Sequence, residues 1–177
     1  MAFHHVALAT TDLPATHRFY TEAMGFTLAK AVVAPTPEGG WAKHVFYDTG
    51  DGSGLIAFWE LHGDAHPDFD PAMSTSHGLP TWTNHLAFWA ADRTDLEARK
   101  ERWLDCGHDV AEIDHGFCVS MYTTDPNGTM VEWCADTRPL DDDDRREAED
   151  LVADPHPPFE DPPETIFHLV EARLTPT

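Results

Sequence analysis

Residues 5–26, HVALATTDLPATHRFYTEAMGF, contain the pattern on which the fold prediction rests. The run begins with a short apolar stretch that alternates like a β-strand. An aspartate follows the strand, and an apolar-periodic segment comes next. Gly25 stands where a helix would end in the left-handed conformation. The stretch therefore predicts a strand followed by a helix.

The same order of elements recurs in the second half of the chain. Residues 84–107, NHLAFWAADRTDLEARKERWLDCG, again predict a strand, an aspartate, a helix and a terminal glycine. Each half then continues with three strand-like segments. These are residues 26–34, 42–48 and 54–61 in the first half, and residues 109–114, 117–124 and 129–135 in the second. The order βαβββ thus occurs twice, which indicates an internal repeat.

Four polar residues lie inside these strand-like runs: His5, Glu60, His85 and Glu132. A distance of 55 residues separates the first pair and 47 residues separate the second, so each half contributes a histidine and a glutamate. Residues i and i+2 of a strand share a face, and Glu60 is therefore expected to share the cleft face with Phe58. We predict that all four side chains face one cleft with apolar and aromatic walls.

Two imidazoles and a carboxylate, with a second carboxylate nearby, form a ligand set for a divalent metal with open coordination positions. His4 lies on the opposite strand face from His5. His44 also lies on a predicted strand, where a core or cleft-wall position is the simpler interpretation.

Together with YTTDPNGTMVEW at residues 122–133, these segments resemble the vicinal oxygen chelate superfamily. The superfamily includes glyoxalase I, extradiol dioxygenases, fosfomycin-resistance enzymes and bleomycin-binding proteins. The resemblance implies an α+β fold of two βαβββ modules whose curved sheets form an open cleft around a metal. Its ligand positions correspond to His5, His85 and Glu132, with Glu60 where some members have a fourth ligand.

The boundaries of this organisation follow from the same segments. The first module is expected at residues 1–62 and the second at residues 81–136, with a linker loop at residues 63–80. An acidic, proline-rich extension occupies residues 137–177, where 12 acidic residues accompany 4 basic ones. Such composition ordinarily indicates a solvated tail. Its end carries apolar side chains that could anchor it on the body or on a second subunit, namely Ile166, Phe167, Leu169 and Val170.

A longer pattern within IDHGFCVSMYTTDPNGTMVE resembles extradiol dioxygenases. His115, Tyr122 and Glu132 occupy the three chemically important positions of that pattern, and the turn residues between them also match. The resemblance implies a catecholic diol chelated by a metal, with Fe(II) favoured over Mn(II), Zn(II), Ni(II) or Co(II). Imidazole titrates near neutral pH, so His115 suits a general acid or base, while the Tyr122 phenol could hydrogen-bond the chelate.

Two other functions remain open. Glu60 as a fourth ligand or base favours a glyoxalase I-like lyase or an epimerase that acts through a metal-bound ene-diolate. A non-catalytic protein that binds an antibiotic is a further alternative, because the chain is acidic and contains six Trp. A sequestering protein of that kind should purify without stoichiometric metal.

Composition limits the partners. The chain has 177 residues and a formal net charge of −21, which opposes binding to nucleic acid or to anionic membranes. We expect no signal peptide and no membrane span, and three cysteines without metal-site spacing fit a reducing cytoplasm. The expected partners are a small-molecule substrate and a second copy in a homodimer, whose cleft forms within one chain or between exchanged modules.

Overall fold

The computed structural model describes residues 3–50, 52, 54–64, 66 and 68–174. Two mixed sheets with few helices confirm the α+β prediction. Their element order follows the two predicted βαβββ repeats.

In the first module a capped helix follows the first strand, as the sequence predicts. The Asp12 side chain accepts a hydrogen bond from the Ala15 amide at 2.9 Å, and Gly25 ends the helical region with φ +76°. The elements are β1 (His5–Thr10), α1 (Leu13–Arg18) with a π-helical turn (Phe19–Ala23), β2 (Thr27–Pro35), β3 (Trp41–Asp48) and β4 (Leu55–His62).

The second module repeats this arrangement after a short 3-10 turn (Thr75–His77) in the connecting loop. The Asp92 side chain caps its helix by accepting a hydrogen bond from the Asp95 amide at 2.9 Å. The elements are β5 (His85–Trp89), α2 (Arg93–Asp105), β6 (Val110–Asp114), β7 (Cys118–Thr124) and β8 (Met130–Asp136).

The first and last strands of each module are neighbours. The first sheet has the order β1-β4-β3-β2, and the second begins β5-β8-β7-β6. In both sheets the first and last strands pair in parallel and the remaining pairs are antiparallel. Strands β1 and β5 consequently form sheet edges.

The two modules share one hydrophobic core, which lies between their helix-bearing faces. The Phe26 ring of the first module contacts Phe88 and Trp133 of the second, with centroids 5.1 and 5.9 Å away. The Tyr20 hydroxyl also crosses between modules and donates to Asp125 Oδ2 at 3.1 Å in a buried position. Because the helix-bearing faces pack together, the opposite faces of the two sheets are turned outward.

The C-terminal extension is folded along part of its length, in contrast to the solvated tail that its composition indicates. It forms α3 (Asp142–Ala153), β9 (Thr165–His168) and α4 (Val170–Leu174). Helix α3 has no buried residue, whereas β9 pairs antiparallel with β6 and Val170 packs against the core. Within the predicted regions, residues 1, 2, 51, 53, 65, 67 and 175–177 lie outside the described residues.

Candidate functional site

His85 and Glu132 meet on the outward face of the second sheet. Strand register places Glu132 beside Ala87, two residues along β5 from His85. The His85 Nε2 and Glu132 Oε2 atoms are 3.0 Å apart, while Nδ1 of the same imidazole lies 3.0 Å from the Trp82 carbonyl oxygen. Two ligand atoms about 2.1 Å from a metal and at right angles to each other are separated by about 3 Å, so this pair fits a shared ion.

Tyr122 and His115 extend this face. Tyr122 lies directly opposite Glu132 in the antiparallel pair of β7 and β8, and its hydroxyl is 3.0 Å from His115 Nε2. Burial, together with the neighbouring charge of Glu132, raises the pKa of Tyr122 to about 12. The phenol therefore keeps its proton at neutral pH, and a line of polar groups runs from His85 through Glu132 and Tyr122 to His115.

His5 lies on the outward face of the first sheet. Its ring is 5.6 Å from Phe46 and 6.3 Å from His44 between centroids, and its Nδ1 atom is 2.8 Å from Nδ1 of His4. Leu8 of the same strand packs against the core, so the predicted alternation of β1 is confirmed.

His44 is a candidate residue that the sequence analysis placed only in a wall or core position. Its ring stacks on Trp59 with centroids 3.7 Å apart, and its buried Nε2 atom finds no hydrogen-bond partner among the described residues. Burial and the nearby His5 lower the pKa of His44. In the part of the chain that the structure describes, the Nε2 atom of His44 therefore lacks a hydrogen-bond partner in an apolar environment beside His5, a candidate metal ligand. This position suits contact with a bound molecule. The spacing of two residues between His44 and Phe46 along β3 is the sequence signal that could have indicated this shared face.

The expectation that Glu60 faces the same cleft is wrong. Register places Glu60 opposite Thr10 at the far end of β1, not opposite His5. Its carboxylate binds Lys43 Nζ at 2.9 Å and His62 Nε2 at 2.8 Å, on the strand face that carries the buried Phe58. Although burial opposes ionisation, these two partners lower the pKa of Glu60. Its role is that of a paired carboxylate at the edge of the core.

The position in the first module that corresponds to Glu132 is Ala57. Glu132 lies beside Ala87, two residues after His85, and Ala57 lies beside Ala7, two residues after His5. At the positions that correspond to His85 and Glu132, the first module therefore has one imidazole and no carboxylate.

The structure does not bring His5 to His85 and Glu132 within one chain. Among the described residues, no group of three or more His, Cys, Asp or Glu side chains is placed to hold a metal ion. A cavity of about 490 Å³ includes His85 but is walled largely by core-side residues such as Phe88 and Trp133. The candidate residues lie instead on the outward faces of the two sheets, where Glu132 is nevertheless buried.

A family model supplies an independent comparison. The model described as "Glyoxalase/Bleomycin resistance protein/Dioxygenase superfamily" matches residues 2–133. A search of curated proteins found no match. None of the helices in the described part of the chain is long and apolar enough to cross a membrane.

Solved structures share the fold at low sequence identity. A glyoxylase/bleomycin resistance protein/dioxygenase domain from Frankia sp. EAN1pec has 20% identity and a TM-score of 0.58, and the match covers 77% of this chain and 98% of that one. The fosfomycin resistance protein FosX from Listeria monocytogenes has 18% identity and a TM-score of 0.55, with 77% and 94% covered. Lactoylglutathione lyase from Agrobacterium tumefaciens has 21% identity and a TM-score of 0.51, with 76% and 92% covered. These proteins are matched over nearly their whole length, whereas about a quarter of this chain has no counterpart in them.

Proposed function

Because the chain belongs to the Glyoxalase/Bleomycin resistance protein/Dioxygenase superfamily, we propose that it is a metal-dependent enzyme whose site forms between two copies of the chain. His85 and Glu132 of one copy and His5 of the other would hold one divalent metal. This arrangement agrees with the shared core, which turns the two candidate faces of one chain away from each other. It supplies two imidazoles and one carboxylate with open coordination positions.

Exposed apolar surface on both candidate faces supports a homodimer. The Trp59 side chain on the first sheet is 38% exposed, and Trp89 on the second is 62% exposed. Large exposed aromatic groups beside a polar centre are typical of interfaces or ligand sites. The edge strands β1 and β5 of two copies could lie side by side, as free sheet edges favour such contacts.

The reaction that this arrangement supports best is ring cleavage of a catecholic diol by dioxygen. One observation carries this proposal: Tyr122 and His115 form a hydrogen-bonded pair next to Glu132. Glu60, the residue that favoured a glyoxalase-type or epimerase-type site, lies away from this face and is paired with Lys43. Without a carboxylate at Ala57, the proposed ligand set leaves more coordination positions open, which suits Fe(II).

The chain's own groups would orient the diol and move its protons. When bound, the metal supplies Lewis acidity toward both oxygens of a vicinal diol and open positions for a co-substrate. Tyr122, protonated at neutral pH, accepts a hydrogen bond from a diol hydroxyl and donates its own hydroxyl proton to His115 Nε2. His115 accepts a proton through Tyr122 and returns it to the product. His44 of the other copy contacts the opposite side of the substrate.

Side-by-side assays of one preparation test this function. The protein is reconstituted anaerobically with Fe(II), and in parallel with Mn(II), Zn(II), Ni(II) or Co(II). Each form is then assayed for oxygen uptake with a set of catechols and for isomerisation of the methylglyoxal–glutathione adduct. We expect oxygen uptake by the Fe(II) form, a loss of about 10²-fold or more in His115→Gln, and little change in the matched control His17→Gln on α1.

The other outcomes identify the alternatives. Isomerisation of the adduct without oxygen uptake would establish a glyoxalase-like lyase. Binding of a cationic antibiotic by protein that retains no stoichiometric metal would establish a sequestering protein.

A further inference from the structure

The C-terminal extension contributes a strand to the sheet that carries the candidate site. Strand β9 pairs antiparallel with β6, with His168 opposite Val110 and Ile166 opposite Glu112. It lies beyond residue 133, outside the residues that the family model matches. The second sheet therefore has a fifth strand that the repeat itself does not provide.

Polar contacts attach this strand to the core side of the sheet. His168 Nε2 is 2.7 Å from Glu112 Oε2, and the buried Glu112 also binds Arg93 of α2. The Val170 amide donates to Asp109 Oδ1 at 2.7 Å just after the strand ends. These contacts fix the register of β9 and, with it, the direction of each of its side chains.

The register places Phe167 on the outward face, in the row that contains the candidate site. Phe167 is opposite Ala111, Ala111 is opposite Tyr122, and Tyr122 is opposite Glu132. Directly paired residues of antiparallel strands share a face. His168, the next residue, points to the other face and meets Glu112, as this alternation requires.

In this row the small side chain of Ala111 lies between two aromatic residues, Tyr122 and Phe167. Ala111 is the smallest member, and it separates Tyr122 from Phe167 by two strand spacings, about 9.6 Å. Apolar groups make contact at about 4.0–4.5 Å, so the gap admits one ring or one alkyl chain between the two aromatic groups. Phe167 is 68% exposed, and its surface is available to such a group.

We propose that β9 completes the substrate cleft and that Phe167 is a specificity-determining residue that holds the apolar substituent of the diol. This inference rests on the proposed function, because a diol bound at Glu132 directs its substituent along the row. Phe167 lies three strands from Glu132, about 14 Å. Only a long substituent can therefore reach Phe167. Replacement of Phe167 should not change kcat/KM for substrates with short substituents.

The test compares two catechols in the Fe(II)-reconstituted protein. The ratio of kcat/KM for 4-hexylcatechol to that for 4-methylcatechol is measured by oxygen uptake in wild type, Phe167→Ala and Phe167→Leu. Ile166→Ala is the matched control, because Ile166 is a neighbouring apolar residue of β9 on the opposite strand face. We expect the ratio to fall about tenfold in Phe167→Ala, less in Phe167→Leu, and to stay unchanged in Ile166→Ala. Amide hydrogen exchange at residues 165–168 verifies that β9 stays paired in each variant.

The remaining outcomes distinguish the role of Phe167 from the proposed function. Turnover of both catechols with an unchanged ratio in Phe167→Ala would overturn the role of Phe167 and leave the proposed function intact. A rise in the dimer dissociation constant with no change in the ratio would overturn it too, since Phe167 would then be an interface residue. If wild-type protein consumes no oxygen with any catechol, the proposed function fails and this inference fails with it.

Discussion

Mixing two inactive variants should restore metal binding if the site is shared between chains. His5→Ala and Glu132→Ala should each abolish metal retention in their own homodimers. A mixed dimer, however, contains one site with both substitutions and one site with neither. The expectation follows from the placement of His5 on one outward face and of Glu132 on the other.

The two-fold symmetry of a dimer sets the metal content that the mixture should reach. Random exchange of two variants gives about one half mixed dimers, and one of the two sites in each is intact. About a quarter of all sites should therefore bind metal, which is about 0.25 metal ions per chain by mass spectrometry of the desalted protein. Mixed dimers purified with two different affinity tags should reach about 0.5 ions per chain.

The structure also provides a matched control. His85 and Glu132 lie 3.0 Å apart in one chain, so a mixture of His85→Ala with Glu132→Ala should restore nothing. Each site of that mixed dimer still lacks one ligand. If both mixtures restore metal equally, or if the His5→Ala and Glu132→Ala mixture restores none although mixed dimers form, the two-chain site is refuted.

Three further changes test individual contacts. Glu60→Gln should leave the metal content unchanged. It should lower the free energy of unfolding, measured by urea titration, by only about 1 kcal/mol, because the carboxylate forms an ion pair at the edge of the core. A loss of metal would show that Glu60 is a metal ligand after all. Tyr20→Phe removes the buried hydrogen bond to Asp125 between the modules. It should lower the free energy of unfolding by about 1–2 kcal/mol in the same urea titration. An unchanged midpoint would show that this hydrogen bond does not stabilise the fold. Burial raises the pKa of Glu112, but hydrogen bonds from Arg93 and from β9 outweigh burial and lower it. The contribution of Glu112 to the free energy of unfolding is therefore complete above the ordinary glutamate pKa of about 4.3. It is lost as the pH falls through the lower pKa that Glu112 has in the folded protein. Glu112→Gln should cost about 2 kcal/mol at pH 7, and the difference from wild type should shrink in urea titrations at successively lower pH below 4; a difference independent of pH would contradict this.

The sequence predicted the strands and the turn that carry one half of the candidate site, largely because short-range structure builds them. The turn between β7 and β8 occupies only five residues, and it places Tyr122 opposite Glu132. Parallel pairing of β5 with β8 then brings His85 beside Glu132. Strand alternation and turn chemistry are sufficient to place Tyr122 opposite Glu132. The contact between His85 and Glu132 also needs the pairing of β5 with β8, which are distant along the chain.

The error at Glu60 has a physical cause in the same alternation. Alternation identifies a face only where one face is polar, and Ile56, Ala57 and Phe58 are all buried. Strand β4 thus gives no sign of which face is the core, and a choice of the wrong face moves every side chain to the other side of the sheet. The shared core, the partners Lys43 and His62, and the register with β1 decide it.

Local sequence was enough to predict the repeated βαβββ order, the helix caps and the strand positions, because these depend on residues close together along the chain. Tertiary structure alone decided that the helix-bearing faces pack together and that His5 therefore lies apart from Glu132. It also decided that β9 pairs with β6 and directs Phe167 to the site face. These outcomes depend on burial and pairing between distant segments, whose free energy is not encoded in any local pattern.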